Sequence, residues 1–321
     1  MTAPLRVKAG RWRAAAAVLR QGRPLHLELD GPWPADRPPD ELGPLVEALT
    51  GPPPPGWTRA PAGAPGPDLP LTVVIPTHRP GPPAGLAALL AQRPAVSVLV
   101  LSNGPAGPSG LPGAQVLRAP WAGHGAARIA ALEHVQTELV AFLSDDAVPL
   151  GAGWAAAAVG ALRASGADAV VCRQLPWPDA DPITRARLRA WTPPGSGWAP
   201  QADHVASVYR CAALRRHPLI AAPIAEDAWW SAGLRVWRCG EAPVLHSHPR
   251  RARALLRRER AVHEQLVRLG RPPLRPDLAA VLLGAPALLR AGGSGPRALA
   301  CAVAELVGPW LGARRARRTP R

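Results

Sequence analysis

The chain has 321 residues, 47% of them apolar, with 38 basic residues against 22 acidic ones and a formal net charge of +16. That length holds one large domain or two modest ones around an apolar core, which excludes a disordered or fibrous chain. All the basic residues but Lys8 are arginine, and Ala, Pro and Gly abound throughout, so the charge reflects composition bias as much as an anionic partner.

Residues 1–70 read as a separate segment: a helix over 12–21, a short alternating strand over 25–29 and a helix over 40–49. A stiff Pro/Gly linker then runs from Gly51-Pro52-Pro53-Pro54-Pro55-Gly56 to Pro70. The apolar stretch 14–19 is too short for the centre of a signal peptide, so no secretion signal is expected.

From residue 71 strand and helix signals alternate. Strands are expected over 71–77, 96–101, 115–118, 139–143 and 167–172, with helices over 82–92, 123–136 and 153–165 between them. The alternation implies an α/β fold with a mostly parallel, Rossmann-like sheet flanked by helices. Residues 174–203 read as loop-rich and hold Trp177, Trp191 and Trp198. A strand over 204–209, a helix start at Ala225-Glu226-Asp227 and a strand ending in Val244-Leu245-His246-Ser247-His248 follow. From 250 onward the chain reads as a basic helical extension with arginine clusters at 250–258 and 314–321, suited to a solvated face, anionic lipid or a nucleotide phosphate. Its apolar stretches, 278–289 and 298–311, fall short of the roughly 20 residues that span a bilayer and read as packed or interfacial helices. Cys172, Cys211, Cys239 and Cys301 show no metal-ligand or redox spacing and read as reduced core thiols of a cytosolic protein.

The most telling feature is the apolar run Leu139-Val140-Ala141-Phe142-Leu143 leading into Ser144-Asp145-Asp146. A buried strand that ends in paired carboxylates needs something to neutralise them, and a divalent metal is the obvious candidate. Ligands of parallel α/β sheets lie beyond the carboxyl ends of the strands, where Pro76-Thr77 and Ser102-Asn103-Gly104 also sit. His246 and His248 alternate along one strand and share a face.

Taken in order, Thr72-Val73-Val74-Ile75-Pro76-Thr77, Ser102-Asn103-Gly104, Gly125-Ala126-Ala127-Arg128, Phe142-Leu143-Ser144-Asp145-Asp146, Glu226-Asp227 and Glu241 to His248 resemble family 2 glycosyltransferases of the GT-A fold. The His-Ser-His ending and Val307-Gly308-Pro309-Trp310-Leu311-Gly312 are similar to a rhamnosyltransferase-like branch. The resemblance spans about residues 71–250, so three parts are expected: 1–70, the GT-A domain 71–250, and the helical extension 251–321.

What the resemblance implies is an inverting, metal-dependent transferase that moves a sugar, such as rhamnose or another deoxysugar, from a nucleoside-diphosphate donor to a hydroxyl of a glycan or lipid-linked acceptor in cell-envelope synthesis. Asp146 is the expected ligand of Mg2+ or Mn2+, with Asp145 beside it toward the sugar or ribose. His246 and His248 are candidates to reach the metal or diphosphate, or else are hydrogen-bonded core histidines. Asp227, with Glu226 beside it, is the expected base. Pro76, Thr77, Arg79, Ser102, Asn103 and Arg128 are expected around the nucleotide. Trp177, Trp229 and Trp230 are candidates to stack on a sugar, with core packing the commoner role for adjacent tryptophans. Ser144 and Ser102 stand where many relatives carry Asp, and the helix after Asp227 is expected to be short. Two alternatives stand beside this reading: a degenerate GT-A-fold binding protein, and a nucleotidyltransferase, against which the Pro-rich loop Thr77 to Pro83 offers few amides for a triphosphate. A nucleic-acid partner is not expected, because the arginines lack interleaved aromatics. The expected location is the cytoplasm, with peripheral contact to an anionic membrane at its inner face.

Overall fold

A computed structural model describes residues 5–8, 25–28, 69–177, 180–193, 195–249, 251–270 and 295–318. The helices expected at 12–21 and 40–49, the linker as far as residue 68 and the apolar stretch 278–289 lie outside the described residues. Near the start, β1 (Leu5–Lys8) and β2 (Leu25–Glu28) pair in parallel.

The main sheet contains β3 (Leu71–Thr77), β4 (Ser97–Ser102), β5 (Gln115–Arg118), β6 (Leu139–Leu143), β7 (Val148–Pro149), β8 (Ala169–Leu175), β9 (Gly197–Ala199), β10 (Ala206–Arg210) and β11 (Val236–Leu245). Its order is β5-β4-β3-β6-β10-β8-β11-β7, with β9 on β11. The expected α/β sheet flanked by helices, with a helical extension behind it, is what forms. Parallel pairing holds across β5-β4-β3-β6 and again between β8 and β11. The sheet is nevertheless mixed, because β10 lies antiparallel between β6 and β8, and β7 and β9 are antiparallel to β11. The physical reason is the connection into β10: it leaves the carboxyl end of β8 and re-enters at the same edge, where Ser144 N donates to Val205 O, so the strand must run back the other way.

The helices are α1 (Leu86–Leu90), α2 (His124–Leu132), α3 (Trp154–Ser165), α4 (Pro182–Trp191), α5 (Cys211–Arg216), α6 (Glu226–Trp230), α7 (Ala252–Arg268) and α8 (Gly295–Arg318). Residues 174–203 therefore hold a ten-residue helix rather than loop alone. Its start is a cap: the Asp181 carboxylate accepts from the N–H groups of Ile183 and Thr184, with Pro182 at the first helical position.

Strand periodicity sorts the core onto two faces. Leu71, Val73, Ile75, Leu139, Ala141 and Leu143 pack toward α1 and α3 around fully buried Trp154. Val74, Val140 and Phe142 pack the other way, toward α2, α5 and α6, around Tyr209 and Trp230. Each such large side chain contributes about 1.5–3 kcal/mol by leaving water. The four cysteines are buried and free. Ala298, Cys301 and Ala304 of α8 join Leu255 of α7 and Ile183 of α4 in a separate cluster that seats the extension on the sheet domain.

Candidate active site

The carboxyl ends of β3, β6, β8 and β11 and the entry to β10 share one edge of the sheet, and polar residues collect there. Past β6, Asp145 accepts a hydrogen bond from Thr77 Oγ1 at 2.7 Å and faces Arg79 Nε at 3.6 Å. The loop after β3 is fastened to this turn, since Ala84 N donates to Asp145 O. A side chain at Gly85 would meet Ala147 O at 2.5 Å, so the close approach requires glycine.

Asp146 stands among three cationic or ligating groups. Its Oδ1 is 3.5 Å from His246 Nε2, and its Oδ2 is 3.6 Å from His248 Nε2 and 3.5 Å from Arg79 Nη2. The carboxylate and the two imidazoles each offer a ligand atom, all within 4.8 Å of one another. The rings of the two histidines meet edge-on, with centroids 4.9 Å apart.

His246 is buried and oriented from behind. Its Nδ1 is 2.9 Å from Gln174 Oε1, and Gln174 Nε2 donates to Asp203 Oδ2 at 2.7 Å. Because the Gln174 amide nitrogen is committed to Asp203, its oxygen accepts from Nδ1–H, which leaves the lone pair of Nε2 facing Asp146. Burial brings the His246 imidazole down to about 4 against the opposing pull of Asp146, so it is neutral at neutral pH. A neutral imidazole with a fixed tautomer, an adjacent carboxylate and a hydrogen-bonded second layer fit a divalent cation. Mixed nitrogen and oxygen donors favour Mn2+ over Mg2+, which prefers oxygen alone.

A cleft of about 770 Å3 opens at this point, lined by Thr77, Arg79, Asp145, Asp146, Trp177 and His248 on the sheet side and by Asp181, Arg251 and Arg297 from the helical side. Arg297, on α8, donates to Asp181 Oδ2 at 3.2 Å, so the extension forms part of the cleft wall. Trp177 is buried in that wall, with its backbone N–H donating to Ser247 Oγ.

Other expected residues lie elsewhere. Asp227 does not line the cleft. Half-buried at the start of α6, it accepts from Ala228 N at 2.7 Å and from His204 N at 3.3 Å. Its charge is felt by Asp203, which burial and the Asp227 carboxylate raise to about 6. The His124 imidazole is lowered by burial and by Arg128, with Glu226 and Asp227 opposing. His124 in turn meets Trp121, 51% exposed, and Trp121 meets His78.

Three of the expected residues, Glu226, Arg128 and Trp230, are buried in internal contacts. Glu226 is not placed to take a substrate proton, because it is buried 2.9 Å from Arg128 Nη1. Burial alone would raise its carboxyl, but the His204 hydrogen bond and Arg128 outweigh burial and bring it down to about 2. His204 itself stays neutral, since burial and Arg128 outweigh the attraction of Glu226. Arg128 is accordingly an internal ion-pair partner rather than a phosphate contact. Trp230 is fully buried, stacked on His217, with its indole N–H donating to His217 O at 2.7 Å. Trp229 is half-buried and donates to Leu269 O at 3.1 Å. Pro76 is half-buried within β3. Ser102 Oγ and both amide atoms of Asn103 are buried without a protein partner, beneath the turn in which Gly107 N donates to Gly104 O.

Sequence reasoning missed Gln174, Asp203 and His204, and also Asp181. The available signals were Arg173-Gln174 closing an otherwise apolar strand and Asp181-Pro182 as a helix start.

The sequence model of glycosyl transferase family 2 matches residues 106–220, about a third of the chain. No curated protein matches the sequence. Among solved structures, the chain is similar to the mannosyltransferase PcManGT from Pyrobaculum calidifontis in complex with GDP-Man and Mn2+, at 18% identity and a TM-score of 0.50, covering 96% of this chain and 84% of that one. The architecture is that of the GT-A fold. S. aureus TarS 1–349 is more remote, at 12% identity and a TM-score of 0.41 over 77% of this chain and 91% of that one.

Proposed function

We propose that the chain is a metal-dependent glycosyltransferase of the family 2 type, transferring a sugar from a nucleoside-diphosphate donor to a hydroxyl acceptor with inversion. The observation that carries this reading is the Asp146, His246 and His248 cluster at the carboxyl edge of the sheet, opening onto a cleft walled by Arg79, Arg251 and Arg297. Asp146, His246 and His248 would hold a divalent cation, best Mn2+, which would neutralise the donor diphosphate and ease its departure. The PcManGT complex, with its GDP-Man and Mn2+, supports the same pairing of donor and metal.

In this reading Thr77 orients Asp145 toward the sugar or ribose, and Ser102 and Asn103, whose buried polar atoms have no protein partner, serve the nucleoside. Asp227 takes the proton of the acceptor hydroxyl as its oxygen bonds the anomeric carbon and the bond to the diphosphate oxygen breaks. Residues 71–250 form the catalytic unit, and 251–321 form an extension that contributes Arg297 to it. The His246-Ser247-His248 ending and the 307–312 tail support a deoxysugar such as rhamnose, a glycan or lipid-linked acceptor, and work at the cytoplasmic face of an envelope membrane.

The decisive experiment is a screen of nucleoside-diphosphate sugars with Mn2+ or Mg2+, following released nucleotide, repeated with Asp146→Ala and Asp227→Asn. Both variants are expected to lose turnover, with only the first losing metal-dependent donor binding. A second reading, a protein that binds donor without transfer, is favoured by the absence of Asp227 from the cleft wall. Donor binding in the wild type without turnover on any acceptor offered establishes that reading instead.

A further inference from the structure

We propose that the outward face of α8 is a docking surface for an anionic lipid bilayer. Leu299, Val303 and Trp310 are 63%, 48% and 55% exposed, and they are three of the seven large exposed apolar side chains among the described residues. At about 100° per residue these three and half-buried Leu306 fall within an arc of about 60°. Of the buried residues of the same helix, Cys301, Ala304, Gly308 and Gly312 lie on the opposite side, where the two glycines meet α7, and Ala298, Ala302, Pro309 and Ala313 lie along one flank of the stripe. The core therefore does not account for the stripe, which faces solvent.

The charges around the stripe select its occupant. Arg314 places its guanidinium over the Trp310 ring at 5.3 Å, and Arg317 continues the line of the stripe toward the end of the helix. The acid of α8, Glu305, is turned away to pair with Arg187 of α4. An apolar stripe ended by arginines with a tryptophan at the boundary matches the headgroup region of an anionic bilayer, where the rings and chains enter and the guanidinium groups meet phosphate. No helix of the described residues is long and apolar enough to cross a membrane, so α8 would lie on the surface. This inference rests on the helix alone and does not depend on the transferase reading.

The test is flotation of the full chain with vesicles of phosphatidylcholine alone or mixed with phosphatidylglycerol, at low and high salt. The wild type is expected to float with the anionic vesicles at low salt and to release as salt rises. Both the triple variant Leu299→Ser, Val303→Ser, Trp310→Ser and the double variant Arg314→Glu, Arg317→Glu are expected to lose binding by about tenfold or more. The substituted side chains are exposed, and an unchanged melting temperature confirms folding. Failure of the wild type to float at low salt overturns the proposal, and so does undiminished binding by the triple variant. A concentration-dependent dimer that the triple variant abolishes, without vesicle binding, assigns the stripe to a second copy and likewise overturns it.

Discussion

Asp146, His246, Gln174 and Asp203 form a single file of contacts from the cleft into the core, and each member constrains the next. Gln174 never reaches the cation site, yet it fixes which imidazole nitrogen faces Asp146. Gln174→Ala should therefore weaken Mn2+ binding about 10- to 100-fold while leaving the fold intact, measured by calorimetric titration. Glu226 is a different kind of buried acid, since its charge serves the fold. Its folded-state value, near 2, lies below its unfolded one, so its contribution is present above pH about 4.5 and fades as pH falls toward 2. Glu226→Gln should cost about 3 kcal/mol or more at pH 7, because it strands Arg128, with the gap to wild type narrowing below pH about 4.5 in chemical-denaturation profiles. A gap that stays constant with pH would show that folding does not shift the titration of Glu226.

The elements set these residues in place by close backbone contacts. Ala225, immediately before α6, has φ of 61°, a left-handed conformation that costs a residue with a Cβ about 1–2 kcal/mol. Because glycine carries its own entropic penalty, Ala225→Gly should stabilise the protein by a net of about 0.5–1 kcal/mol, seen as a raised denaturation midpoint with unchanged slope. Between α7 and α8 the approach is closer still. A Cβ at Gly308 would meet Glu259 Cβ at 2.5 Å, and one at Gly312 would meet the Arg260 carbonyl. Gly312→Val should cost about 1–3 kcal/mol by forcing the helices apart, while Ala300→Val, on the exposed side, should be nearly neutral. Much of this level was legible beforehand. The acid-tipped strand announced itself because five apolar residues cannot end in two carboxylates without compensation, and β3, β4 and β6 pair in parallel as their apolar runs suggested. Helix α4 was hidden because Arg185, Arg187 and Arg189 leave its ten residues with little apolar content, and only the Asp181 cap marks its start. The direction of β10 was hidden because a strand's composition does not say to which edge its connection returns.

Across the whole molecule, what one sequence conceals is partnership between distant residues. Arg128 and Glu226 are 98 positions apart and each resembles a site residue until they are seen to neutralise one another. Asp181 and Arg297, 116 positions apart, bring the extension into the cleft, an arrangement that no local motif records. The candidate metal cluster is equally long-range, yet it was partly readable, because both of its strands end in ligating side chains at one edge of one sheet. The central claim is that this cluster holds a divalent cation for a nucleoside diphosphate. Its most direct test is a calorimetric titration of Mn2+ into wild type and Asp146→Ala in the presence of a nucleoside diphosphate. The account predicts saturable, single-site binding by the wild type and its loss, by about 100-fold or more, in the variant. Equal binding by the two proteins, or none by the wild type, would contradict it.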